Sequence, residues 1–274
     1  MNKNYRVEIA NKTLEIIKNG FYEYKGKKIV IKKELDESIE NTFTIVPNDW
    51  ETILKIPVEN KFETEIVMRN CSTIEAIDQE KNGKICVLNF ASAKNPGGGF
   101  LGGASAQEES LARSSNLYET QIKNKAMYDF NRNRSSFLYS DYMIYSPNVL
   151  FWNDDNGNYL EKPLVADIIT SAAPNKGAML QHNKNEEIAA IEEVLKKRMD
   201  KVLAIALKQK SDIIILGAWG CGVFRNEPRE VAQLFKEIIV EKYTGAFKKI
   251  VFAVFDNSEK KSNFKHFEDV FSQW

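Results

Sequence analysis

Two adjacent carboxylates, Glu108 and Glu109, follow a loop in which Gly97, Gly98, Gly99, Gly102 and Gly103 fall within seven residues. Paired acids can give and take protons at a reacting bond. A glycine run lets backbone N–H groups turn toward a ligand that approaches closely. The apolar run Ile85 to Phe90 precedes the loop and a helix is expected to open near Ser105. The glycines are therefore placed at the C-terminal end of a strand and the acids, with Gln107, in or beside the first turn of a helix. Each feature alone has an ordinary explanation: a surface loop for the glycines, and dipole complementation for the acids. Together they put phosphate binding and acid–base chemistry in one place. No Gly-Lys-Ser/Thr follows, and the spacing fits neither the P-loop nor the dinucleotide fingerprint, which disfavours nucleoside-triphosphate hydrolysis.

A second loop, Leu216 to Pro228, repeats the arrangement: it follows the apolar run Ile213 to Leu216 and leads into a helix with Pro228 in its first turn. Gly220 and Gly222 would allow amides to face an anion. Cys221 is a poor nucleophile candidate, because no histidine lies nearby in sequence. Ser171 to Asn175 follow a third strand end. They read first as a tight turn, although small residues there also permit close approach of a ligand.

These loops need a frame. Strands are expected at 65–68, 85–90, 142–151, 165–170, 213–216 and 250–255, and helices at 73–80, from 105 past 117, at 185–208, 228–241 and 262–272. The order predicts an α/β fold, a three-layer α/β/α sandwich with a mixed central sheet. Ahead of it, a helix over 4–18 stopped by Gly20, a hairpin over 21–31, a short helix at 34–40 and a strand at 42–46 suggest an N-terminal helical and hairpin extension. The division expected is 1–60 as an accessory extension packed on the core and 61–274 as the catalytic domain.

The 274 residues carry 38 basic and 38 acidic side chains, so no global field draws the chain to nucleic acid or membrane. A polyanion would need a local site. Three cysteines at Cys71, Cys86 and Cys221 fit no zinc spacing and read as reduced thiols. The two histidines, His182 and His266, lie among polar neighbours and read as surface residues. The N-terminus lacks the apolar core of a signal peptide, and no run reaches the roughly 18 apolar residues of a membrane helix. A cytoplasmic monomer with no membrane association, metal or cofactor is the expectation.

The triglycine, seven residues, then Gln107-Glu108-Glu109 resembles the motif of poly(ADP-ribose) glycohydrolases, most of all the short bacterial-type members. The likeness extends over most of residues 60–274 and, more weakly, over the first 60. It implies a macrodomain-like fold and cleavage of the ribose–ribose O-glycosidic bond, exo-acting and releasing ADP-ribose. It assigns Glu109 as the general acid that protonates the leaving ribose oxygen and then as base for water, with Glu108 beside it in the catalytic pair. Gln107 and Glu108 would hold the distal ribose. A helix N-terminus favours an ionised carboxylate whereas a general acid must arrive protonated; the neighbouring acid and a bound diphosphate would push toward protonation.

The second loop is similar to a phosphate loop of macrodomains, so Gly217, Trp219, Gly220, Cys221, Gly222, Val223 and Phe224 join Asn95, Gly97, Gly98 and Gly99 as expected binding residues, with Phe224 stacking on adenine, packing on a ribose or belonging simply to the core. Many macrodomains carry an asparagine just after the first-loop strand; here Asn95 or Ser92 would serve. No acidic adenine-recognition residue is evident. The partner implied is ADP-ribose polymer or an ADP-ribosylated protein. The alternatives on the same scaffold are a hydrolase of mono-ADP-ribose or O-acetyl-ADP-ribose, and a non-catalytic ADP-ribose reader. Intact Glu108 and Glu109 favour catalysis, since a reader needs only the phosphate loops.

Overall fold

A computed structural model describes residues 1–80, 82–272 and 274. In chain order the elements are α1 (Lys3–Asn19), β1 (Phe21–Tyr24), β2 (Lys27–Val30), α2 (Lys32–Glu40), β3 (Phe43–Ile45), α3 (Trp50–Ile53), β4 (Glu65–Arg69), α4 (Thr73–Gln79), β5 (Ile85–Phe90), α5 (Gln107–Ser114), α6 (Leu117–Lys123), α7 (Ala126–Arg132), β6 (Met143–Asn153), β7 (Tyr159–Ser171), α8 (Lys176–Gln181), α9 (Asn185–Ala189), α10 (Ile191–Lys208), β8 (Ile213–Leu216), α11 (Pro228–Ile238), β9 (Lys249–Ala253) and α12 (Ser262–Phe271).

Seven strands form one mixed sheet in the order β3-β6-β7-β5-β8-β9-β4. The stretch from β7 to β4 is parallel, and β6 joins it antiparallel. Both faces are covered, which is why β5 reads as a nearly continuous apolar run. Its Cys86 and Leu88 pack toward the cluster that includes Leu195, Val202, Phe235 and Phe267 from α10, α11 and α12. Its Ile85 and Val87 pack toward Ile74, Ile77 and Leu111 from α4 and α5. The result is the three-layer sandwich expected from the alternation, and the loops after β5, β7, β8 and β9 share one edge.

Local chemistry sets the ends of several elements. Asn2 accepts a hydrogen bond from the Tyr5 N–H and caps α1, while Gly20, at φ 73°, closes it with its N–H on the Ile16 carbonyl. Ser72 and Glu75 form a capping box on α4. The first 60 residues pack against the sheet and also contribute to it: β3 is its edge strand, paired with β6, and Trp50 and Ile53 lie in the main core. Among the described residues no helix is long and apolar enough to cross a membrane.

The single helix expected from 105 past 117 is two. Ser115 is extended at φ −150° and bridges to Phe151; its hydroxyl donates to the Leu111 carbonyl and accepts from the Leu117 N–H, ending α5 and starting α6. The expected helix over 185–208 breaks at Ala190, whose N–H reaches back only three residues to Glu187. Three short helices, α3, α7 and α8, have too few apolar repeats to have been read from periodicity.

Candidate active site

Glu108 is the structural hub of the first loop. Its side chain is buried, and its carboxylate accepts from Asn89 Nδ2 at 3.1 Å, Gln121 Nε2 at 3.0 Å and the Ser92 N–H at 2.6 Å. Thr170 Oγ1 accepts from the same two amides, at 3.2 and 3.3 Å. Gln121 then uses its carbonyl oxygen to take the Gly97 N–H at 2.7 Å. One carboxylate thus ties together the end of β5, the turn after it, α6 and the triglycine. Burial pushes the Glu108 carboxyl up to about 8, against the pull of those three donors.

Glu109 differs in every respect. It is only half-buried, and among the described residues its side chain's one hydrogen bond to protein is from the Gly99 N–H to Oε1, 3.0 Å. Gly98, at φ +58°, lies directly against it: a Cβ there would stand 2.3 Å from Glu109 Oε1 and 3.3 Å from Glu108 Oε2. Glycine is needed at this position for both its conformation and its missing side chain. Gly97, at φ +66°, lacks room for a different reason, since a Cβ would meet the Phe100 ring at 2.8 Å.

The N–H groups of the triglycine do not form the open anion cradle that its composition suggested. Gly97 donates to Gln121, Gly98 to the Asn95 carbonyl at 3.0 Å and Gly99 to Glu109. The Gln107 side chain is likewise engaged by the protein. Its carbonyl oxygen accepts from the Phe90 N–H at 2.8 Å, and its NH2 donates to the Leu88 carbonyl at 2.9 Å and Thr73 Oγ1 at 3.2 Å. It fastens α5 to β5. Asn95 is exposed, and its backbone turns on Ser92 Oγ.

The loop after β8 is built the other way round. Among the described residues the N–H groups of Gly220, Gly222, Val223 and Phe224 have no protein acceptor. The loop is nevertheless pinned: Asn226 donates from its backbone to the Gly220 carbonyl and from Nδ2 to the Pro174 carbonyl, both at 3.0 Å, and Phe224 accepts from the Gly177 N–H at 2.9 Å. Gly220 sits at φ +74°, and a Cβ would lie 2.4 Å from Asn226 Nδ2. Gly222 and Val223 are exposed, Val223 at 80%.

Two residues expected in contact with ligand lie beneath this loop. Trp219 is fully buried with its indole N–H on the Ser171 carbonyl at 3.2 Å, and Gly217 is squeezed against β9, where a Cβ would be 2.4 Å from the Ala253 carbonyl. Phe224 is half-buried, its ring 6.0 Å from that of Tyr139. Cys221 is half-buried and burial pushes its thiol far above the ordinary range, the opposite of an activated nucleophile.

Four residues escaped the sequence reading. Asn89, Gln121 and Thr170 carry the nest around Glu108. Asn89 had left a signal, as a lone amide in an otherwise apolar strand. Gln121 and Thr170 had none, because only the fold brings them there. The fourth is Phe255, 65% exposed just past β9 and beside the second loop. The next residue, Asp256, is held by paired backbone hydrogen bonds with the Asn70 side chain, both at 3.0 Å, and its carboxylate accepts from the Ser258 and Asn263 N–H groups.

Comparison with known proteins identifies the family. A model of the catalytic domain of microbial-type PARG matches residues 10–154. The poly(ADP-ribose) glycohydrolase of Thermomonospora curvata is 36% identical over 98% of this chain and 100% of its own, with a TM-score of 0.92. The chain belongs to the microbial-type poly(ADP-ribose) glycohydrolase family. The T. curvata enzyme bound to the inhibitor ADP-HPD superposes with a TM-score of 0.90, at 36% identity over 98% of this chain and 100% of that one. The Deinococcus radiodurans family member in complex with ADP-ribose is 37% identical over 90% of this chain and 100% of its own, with a TM-score of 0.84. No curated protein matches the sequence. Within the family's frame, the triglycine and the QEE segment lie inside the matched residues, whereas the second loop lies beyond them.

Proposed function

We propose that this protein, a poly(ADP-ribose) glycohydrolase by family, cuts the ribose–ribose O-glycosidic bond from polymer ends on a macrodomain-like scaffold, with Glu109 as acid and then base. The observation that carries the assignment is the asymmetry of the paired acids: Glu108 is buried among three donors, and Glu109 is left half-exposed at a glycine with no room for a side chain. Glu109 delivers its proton to the leaving ribose oxygen as an oxocarbenium-like centre develops. As a carboxylate it then takes a proton from the attacking water. One well-placed acid–base group supplies about 10²–10⁴ in rate, or about 3–5 kcal/mol of barrier. Glu108 is assigned to fixing the loop rather than to moving protons.

The second-loop amides of Gly220, Gly222, Val223 and Phe224, unpaired among the described residues, are assigned to the diphosphate. Charge-assisted bonds of about 1.5–3 kcal/mol each explain how a chain of zero net charge holds a polyanion without a basic surface. Phe255, exposed just past β9, the strand that neighbours β8, is assigned to the adenine. We place residues 1–60 as an extension that closes on the core. The direct test is a product time course on purified polymer, with a mono-ADP-ribosylated protein in parallel. Free ADP-ribose appearing from the first time points supports the reading. Oligomers as first products overturn the exo mode, and cleavage confined to the mono-ADP-ribosylated protein overturns the substrate.

A further inference from the structure

Between the triglycine and the QEE segment the chain makes a tight junction, Gly102 to Ala106, that carries no catalytic side chain. Two guanidinium groups converge on it. Arg6, on α1, donates Nε to the Gly103 carbonyl at 2.7 Å, with a second nitrogen on the Met1 carbonyl at 2.7 Å. Arg113, buried on α5, donates to the Ala104 carbonyl at 2.7 Å and to Ser110 Oγ at 3.0 Å. Burial first, and then the neighbouring Arg6, push Arg113 down, so two like charges are held side by side on adjacent carbonyls of one short segment.

The surroundings leave this segment little freedom. Gly103 is in the left-handed region at φ +75°, and a Cβ there would meet the Lys3 carbonyl at 2.7 Å and Val7 Cγ2 at 3.0 Å. Phe100, just upstream, is buried with Ala10 of α1 and Ala112 of α5. Helix α1 therefore packs on the first loop rather than merely beside the domain. Farther along, Thr13 Oγ1 donates to the Arg113 carbonyl, at the far end of α5 from the acids.

We propose that α1 is a positioning element for the reaction, with Arg6 the positioning residue: by holding the Gly103 carbonyl it fixes the junction through which the triglycine and Glu109 are set against each other. This inference rests on the reading of Glu109 as the acid–base group. Arg6 touches neither the acids nor any group assigned to substrate, so its effect passes through backbone placement. Misplacement of reacting groups by about 1 Å costs on the order of 10²-fold in rate, and a partial loosening of one anchor costs less.

The test compares wild type, Arg6→Met, Arg6→Lys, Thr13→Val and Glu109→Gln for polymer kcat and KM, ADP-ribose Kd and Tm. Arg6→Met keeps the packing stem and removes the donors. Thr13→Val weakens the attachment of α1 without touching the junction. The expected result is a kcat lower by about tenfold in Arg6→Met, with KM and ADP-ribose Kd within about twofold of wild type. Arg6→Lys should restore part of the kcat, and Thr13→Val should keep wild-type kcat despite a lower Tm. Wild-type kcat in Arg6→Met overturns the proposal. So does a kcat loss that Thr13→Val reproduces in proportion to its Tm. If Glu109→Gln still cuts polymer, the underlying reading of the site falls. If Glu109→Gln is inactive while Arg6→Met turns over normally, only the role of α1 falls.

Discussion

In the loop after β5 the N–H groups of Gly97, Gly98 and Gly99 are spent on Gln121, Asn95 and Glu109; in the loop after β8 those of Gly220, Gly222, Val223 and Phe224 meet no acceptor among the described residues. Both loops leave a parallel strand at the same edge of the sheet, and both are glycine-rich. In the first, glycine lets side chains and backbone crowd together: Gly98 admits Glu109, and Gly97 admits the Phe100 ring. In the second, glycine shapes a turn in which the amides of Gly220, Gly222, Val223 and Phe224 meet no acceptor among the described residues. Composition marks a close approach, and only the hydrogen-bond partners tell whether the protein itself or a ligand makes it.

Substitutions in the two loops should therefore separate turnover from binding. The largest effect is expected from Gly98→Ala. A positive φ strains alanine by about 1–2 kcal/mol, and the new Cβ would displace Glu109 Oε1 from 2.3 Å away. The kcat on polymer should fall by about 10² or more, while ADP-ribose Kd stays within about threefold. Equal losses in kcat and affinity would break the division. Next comes Gly220→Ala, whose Cβ would strike Asn226 Nδ2 and unseat the loop. Loss of one charge-assisted bond, about 1.5–3 kcal/mol, should weaken ADP-ribose binding in calorimetry by roughly 10- to 100-fold. Phe255→Ala should cost about tenfold in the same titration without changing Tm, since the ring is 65% exposed.

A separate effect concerns stability at the first loop. Burial raises the Glu108 carboxyl from 4.5 to about 8, so the native state holds this proton more tightly than the unfolded chain. Its stabilising contribution is full below the unfolded value and is lost as pH rises through the folded one. The Tm of wild type should fall between about pH 5 and pH 8, and Glu108→Gln should flatten that slope. An unchanged slope would mean that the three donors keep Glu108 ionised throughout.

Much of this was legible in the sequence for identifiable reasons. The strands β5 and β8, largely buried, read as apolar runs broken only by Asn89, and the glycines and acids that follow β5 are rare in that combination. What stayed hidden depends on long-range contact. Ser115 ends a helix because Phe151 lies across from it, and Gln121 reaches Glu108 only once α6 has folded back. Gln107 and Trp219 stand in the expected motifs yet face inward, because a motif fixes which residues are near the site and not where their side chains point. The first 60 residues looked separable by pattern, and their β3 pairs into the main sheet.

The measurement that bears most directly on the division of labour is polymer cleavage by Glu109→Gln beside its affinity for free ADP-ribose. The expected result is a Kd within about threefold of wild type together with a kcat lower by about 10²–10⁴. Cleavage of polymer by Glu109→Gln at the wild-type rate would contradict the account.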